Sequence, residues 1–173
     1  MRRRKGIFIC MLAVILLAGA CSSEQDINKG KFKKLSEAAQ AVKTSLVAGA
    51  SYQQFSESLQ NLSAEITVLR DKATSKKEVE VLKEYSTLLK IYQDGHMLWK
   101  YKMEFAPFDF VPKGRIYVSQ DIEPIVFKYS FPVESHLYKP THQYWKSISE
   151  DSIQIIWNNA DNQFKIIEGT LHS

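Results

Sequence analysis

From Phe32 onward the apolar residues of this chain recur on a helical period, with one interruption. Phe32, Leu35, Ala39, Val42 and Leu46 step by three and four, which places them on one helix face, and Gly49 follows as a C-terminal stop. A second stripe, Tyr52, Phe55, Leu59, Leu62, Ile66 and Leu69, starts behind a Ser51–Gln54 capping box. The third opens behind Ser75 and Glu78, another capping box, and runs through Leu82, Tyr85, Leu89, Tyr92, His96, Trp99 and Met103. Gly95 lies inside it as a weak point that costs about 1 kcal/mol against alanine. The last stripe, Ile153, Trp157, Ala160, Phe164, Ile167 and Leu171, follows Ser149 as N-cap, with Ile148 and Ile153 placed as a hydrophobic staple. Each stripe is narrow and backed by polar residues, so the helices need one another's apolar faces. The short link between the first two makes them an antiparallel pair. Four stripes together predict an all-α domain over 31–173, an antiparallel four-helix bundle with a single core.

The interruption lies between the third and fourth stripes, at about 104–148. All five prolines fall there (Pro107, Pro112, Pro124, Pro132, Pro140), and so do ten of the twenty aromatic residues. Within it, residues 121–129 predict a short helix with Ile122, Ile125 or Val126, and Tyr129 inward. The competing expectation is a hairpin that pairs 115–118 with 126–129.

Before the stripes comes a different kind of segment. Arg2, Arg3, Arg4 and Lys5 precede an uncharged apolar run, Gly6 to Leu17, whose 12 residues would span about 18 Å as a helix, short of a ~30 Å hydrocarbon core. Small residues and a cysteine follow. Leu17-Ala18-Gly19-Ala20-Cys21 resembles the lipobox of bacterial lipoproteins, with alanine at the third position before the cysteine in place of the commoner leucine. The resemblance covers only the leader. It implies a signal peptide over 1–20, removed by cleavage before Cys21, and a diacylglycerol on the Cys21 thiol with palmitate-type chains. Two or more acyl chains anchor a protein stably where one does not. Ser22-Ser23 lacks the aspartate that would imply inner-membrane retention, so the implied location is the bacterial cell envelope, at the outer membrane facing the periplasm in a Gram-negative cell. Residues 21–30 read as the lipidated cysteine and a polar tether. Cys10 is lost with the leader, which leaves the domain itself without disulfides.

Charge adds one exclusion. The chain carries 23 Lys+Arg and 19 Asp+Glu, and four of the basic residues are those of the leader, so the remainder is formally neutral. A generic basic surface for nucleic acid is not indicated. The sequence also lacks Glu-x-x-His, Cys-x-x-Cys-His, His-Glu-x-x-His, Gly-x-Ser-x-Gly and a glycine-rich phosphate loop. No metal site, cofactor or catalytic residue is assigned. Glu57, Glu65, Glu78, Glu80 and Glu84 lie mostly off the apolar stripes and read as solvated helix face. His96, on the inward stripe between Tyr92 and Trp99, is either a partly buried histidine bonded to a neighbour or an acid–base group or axial ligand, the latter requiring His136, His142 or His172 to meet it. Phe105, Phe108, Phe110 and Trp145 either seal the flank of the bundle or form a binding surface, and with His96 and Trp99 they are the candidate ligand or partner surface. The expected function is a membrane-anchored binding or accessory module that meets another envelope component. The alternative is an envelope hydrolase, or a binder of haem, lipid or another small ligand, using His96 and the aromatic excursion.

Overall fold

The structure, a computed structural model, describes residues 27–172. The leader, Cys21 and residues 22–26 of the tether lie outside them. Helix α1 (Lys29–Val47) opens within the stretch read as tether, where the Asn28 side chain caps it by accepting from the Gly30 N–H at 3.1 Å. Helices α2 (Tyr52–Arg70) and α3 (Lys76–Phe105) follow, both entered through the capping boxes expected at Ser51–Gln54 and Ser75–Glu78. After the excursion, α5 (Asp151–His172) closes the chain, with the Ser149 hydroxyl accepting from the Asp151 N–H at 3.2 Å. No helix among the described residues is long and apolar enough to cross a membrane.

The all-α expectation is wrong. The excursion folds into strand β1 (Arg115–Tyr117), helix α4 (Glu123–Tyr129) and strands β2 (Glu134–Tyr138) and β3 (Gln143–Ser149). The strands form one antiparallel sheet in the order β1-β3-β2, so the domain is a mixed fold of five helices and a three-stranded sheet. Both alternatives for the excursion held a part of this. Residues 123–129 are helical, with Ile122, Ile125 and Val126 buried and Tyr129 half-buried. Residues 115–117 are a strand, but it pairs with β3, Ile116 facing Ile148, and not with 126–129. Pairing across more than thirty residues leaves no local signal, and β2 is a five-residue strand without clean alternation.

Two cores result where one was expected. The first joins α1, α2, the N-terminal half of α3 and the C-terminal half of α5, around Leu35, Phe55, Leu62, Tyr85, Tyr92 and Phe164. The second joins the C-terminal half of α3, β1, α4, β3 and the start of α5, around Leu98, Ile116, Ile122, Ile148 and Ile156. Trp157 packs against both. The sheet explains a register change in α3. The expected stripe ends on His96, Trp99 and Met103, yet Met103 is 41% exposed and the buried positions become Gly95, Leu98 and Tyr101. An ideal helix drifts by about 20° per heptad, so over 30 residues α3 turns its apolar face from α2 toward the sheet.

The α1 N-terminus, the α2–α3 turn and the α5 C-terminus share one end of the bundle. Lys31 of α1 reaches the Lys72 carbonyl (3.4 Å) and the Glu78 carboxylate (2.9 Å), and Leu171 packs into the first core. The sheet caps the other end. At 1.5 Å per residue, the 30-residue α3 separates the two ends by about 45 Å.

Glu78 corrects a second expectation. It is only 2% exposed, far from a solvated face. Its Oε2 accepts from Lys31 Nζ, the Thr74 N–H (3.0 Å), the Ser75 N–H (3.4 Å) and the Thr74 hydroxyl (3.4 Å). The Thr74 backbone bond, then Lys31, pulls the carboxyl down to about 2 against the desolvation that opposes it. Above its ordinary value of 4.5 the carboxylate is charged both folded and unfolded, and these contacts contribute in full. As pH falls from about 4.5 to about 2 the unfolded chain binds the proton first, so the contribution is lost across that window. Glu78→Gln should be about 1–3 kcal/mol less stable than the parent at neutral pH. Thermal melts taken down through the window should show the gap narrowing. A gap that stays constant with pH would assign the acid sensitivity elsewhere.

Candidate functional site

The sheet has two unlike faces. Alternation puts Ile116 and Ile148 on the face toward α3 and α5, in the second core. The opposite face carries Arg115 and Tyr117 from β1, Trp145 and Ser147 from β3, and Glu134, His136 and Tyr138 from β2, as the pairings Tyr117↔Ser147, Glu134↔Ser147 and His136↔Trp145 require. Its cover comes from Phe105 at the end of α3 and from the loop 106–114. Phe110 folds back onto it, with ring centroids 5.4 Å from Trp145, 5.9 Å from Tyr138 and 6.2 Å from Tyr117. Phe105 stacks on Tyr117 at 4.8 Å and meets Phe108 at 5.6 Å. Pro107 and Pro112 stiffen this loop, and Gly114, at φ +78°, makes the turn into β1. The cover is incomplete. Phe108 is 50% exposed and Tyr138 41%, while Phe105, Phe110, Tyr117, His136 and Trp145 are half-buried.

Beside the rings runs a polar chain that spans all three strands. Glu134 accepts from Arg115 Nη1 (3.0 Å), the Ser147 hydroxyl accepts from Arg115 Nε (3.0 Å), and the Ser147 carbonyl accepts from Arg115 Nη2 (3.2 Å). The same hydroxyl lies 2.8 Å from His136 Nε2, and the imidazole stacks on Trp145 at 4.3 Å. A serine within hydrogen-bond reach of a histidine has the spacing of a nucleophile and its base. Ser147 is fully buried, however, and its hydroxyl is already held by the guanidinium, so a substrate cannot reach it. The chain is a brace that ties both edge strands to β3.

The candidate residues separate into two groups. Phe105, Phe108, Phe110 and Trp145 come together on the sheet, as a binding surface would require. His96 and Trp99 do not join them. His96 stacks on Tyr52 at 4.2 Å with its ring nearly parallel, 5.8 Å from Phe55, and Trp99 meets the edge of Tyr52 at 5.7 Å. Burial, then the nearby Lys100 charge, holds His96 below its ordinary value, so the imidazole is neutral at neutral pH. Its Nε2 is buried without a hydrogen-bond partner among the described residues, so the bonded neighbour expected for this histidine is not found at that nitrogen. His136 lies on the sheet and His142 in the β2–β3 turn, and no group of three or more His, Cys, Asp or Glu side chains converges among the described residues. Tyr117, His136 and Tyr138 were not anticipated in the surface. Their signal was the two-residue spacing of Arg115 with Tyr117 and of His136 with Tyr138, legible only once those segments are taken as strands.

A separate groove of about 940 Å³ runs between α1 and α5, floored by Ala41, Tyr85, Phe164 and Leu171. Lys43 pins the seam, bonding Asp161 at 2.6 Å and lying 5.2 Å over the Phe164 ring. No family model, curated protein or solved structure matches this chain, so its chemistry rests on its own geometry.

Proposed function

We propose that this protein is a lipid-anchored binding module that holds an aromatic sheet face away from a bacterial membrane and presents it to another envelope component. The observation that carries the reading is the placement of a half-exposed ring cluster at the end of the bundle opposite the N-terminal chain. Ring surfaces of this kind bury large area at little entropic cost, which makes them effective contact anchors. The lipobox-like leader supplies the anchor, and the brace of Arg115, Ser147 and Glu134 keeps the sheet rigid beneath the rings.

Two measurements test it. Cys21→Ala should abolish incorporation of labelled fatty acid and move the protein from the membrane to the soluble fraction; unchanged partitioning refutes the anchor. A photo-crosslinking side chain at 108, in the exposed part of the cluster, should give a discrete adduct in intact cells. The same side chain at exposed Glu57 on α2 should give none. Equal labelling at both positions, or none at 108, removes the sheet face as the contact surface.

A further inference from the structure

We infer that the groove left where α1 stops, lined by Tyr92 and Trp99 of α3 and Trp157 of α5, is a binding site for a neutral saccharide. It arises from unequal helix lengths. Helix α1 has 19 residues against 30 in α3 and 22 in α5, so it covers the α3–α5 face only as far as Val47. Beyond that point the α1–α2 turn, α3 and the first half of α5 border a groove of about 840 Å³. Small-ligand sites have this size. It lies in the bundle, apart from the aromatic face of the sheet.

The Tyr92 hydroxyl points to a ligand. A buried tyrosine ordinarily bonds its hydroxyl to a partner. Tyr85 does so with Ser36 at 2.6 Å, and Tyr101 with Asp121 at 2.6 Å. Tyr92 is 1% exposed, yet no hydrogen bond among the described residues uses its hydroxyl. The side-chain atoms sealed off without a partner are His96 Nε2 and Ser119 Oγ, so the Tyr92 hydroxyl keeps a solvent contact, and Tyr92 lines this groove. Burial, then the Asp161 charge, pushes the hydroxyl up, so it is a protonated donor at neutral pH. A phenylalanine would fill the same volume without the cost of desolvating that group.

The walls fit a sugar. Trp99 and Trp157 are half-buried, and both pack on Phe55, at 5.9 and 5.3 Å, so their centroids lie no more than about 11 Å apart. Neither indole N–H has a hydrogen-bond partner among the described residues, and neither is sealed from solvent. The charges are already matched: Lys43 bonds Asp161 at 2.6 Å and Lys102 bonds Glu150 at 3.0 Å. Asp151 accepts from the Ser149 hydroxyl at 3.1 Å at the start of α5. Donors, acceptors and aromatic surface are therefore present together, with no unpaired lysine to draw an anion. A sugar ring offers the complement, hydroxyls around an apolar C–H face.

The probes are cellotriose and tri-N-acetylchitotriose, whose equatorial substituents leave flat C–H faces. The full chain is labelled with ¹⁵N, and its three indole N–H signals are followed as each probe is added. The signals of Trp99 and Trp157 should move with at least one probe, and that of Trp145, on the sheet, should stay. Tyr92→Phe should keep the parent Tm, because the hydroxyl holds nothing in the fold, and should weaken binding about fivefold. No shift with either probe up to about 10 mM, where even a very weak site would fill, would overturn the assignment. So would a Tyr92→Phe protein that binds as the parent does. Movement of Trp145 alone would transfer the sugar to the sheet face, and tighter binding of oleate than of either saccharide would replace it with an apolar ligand; each result overturns the assignment.

Discussion

Gly95→Ala should destabilise the protein by about 2 kcal/mol, the opposite of what the same change does in an ordinary exposed helix. In such a helix alanine gains about 1 kcal/mol over glycine. Here a Cβ on residue 95 would fall 2.2 Å from Trp157 Cζ3 and 2.3 Å from Cη2. The half-buried indole is held by Phe55, 5.3 Å from it, and Tyr92, 6.3 Å, centroid to centroid, so making room for a Cβ means giving up those ring contacts and shifting toward the groove it lines. Overpacking of a filled core costs about 1–3 kcal/mol and sometimes more, which outweighs the propensity gain. For a chain of this size the shift corresponds to roughly 4–8 °C in Tm. The control is a double-mutant cycle with Trp157→Leu, in which the smaller partner should remove most of the Gly95→Ala penalty. A Gly95→Ala protein as stable as the parent would mean that the indole does not sit against the α3 backbone.

Phe55→Ala should cost more, about 4 kcal/mol. Phe55 is fully buried and is the ring at which α2, α3 and α5 meet, with Tyr92, His96, Trp99 and Trp157 all within 6.1 Å. The surrounding rings are rigid and cannot collapse into the vacated volume, so both the transfer and the cavity contributions are felt. Phe127→Ala serves as the comparison, since Phe127 is 88% exposed and its loss should stay within about 0.5 kcal/mol. Denaturant titration of the two variants separates the cases. A small loss at Phe55 would show that the three helices are not held through this ring.

Four helices were legible from local information: a stripe in each, N-caps at Ser51, Ser75 and Ser149, and a stop at Gly49, while the Asn28 cap of α1 lay in the stretch read as tether. The sheet was not, because β1 finds its partner on the far side of α4, and a sequence read along its length carries no record of that pairing. The same gap explains α3. Its stripe was traced correctly through Tyr92, but the switch to Gly95, Leu98 and Tyr101 is imposed by a surface that comes later in the chain. Gly95 was visible as an anomaly and its cause was not, since Trp157 lies sixty-two residues away. Of the candidate surface, the four aromatics of the excursion were recognised by density and proline content. His96 and Trp99 were grouped with them from their place on the inward stripe of the third helix, and the structure keeps them at the α2–α3 interface, apart from the excursion. Glu78 was half legible: its capping role was in the pattern, but its burial depends on Lys31 arriving from α1.

The central strand of the sheet runs straight into α5, and α5 supplies the missing wall of both cores. Neither half of the molecule can therefore be completed until α5 is present. A fragment lacking α5 would show its apolar helix faces to water, so packing of both cores waits on that one helix.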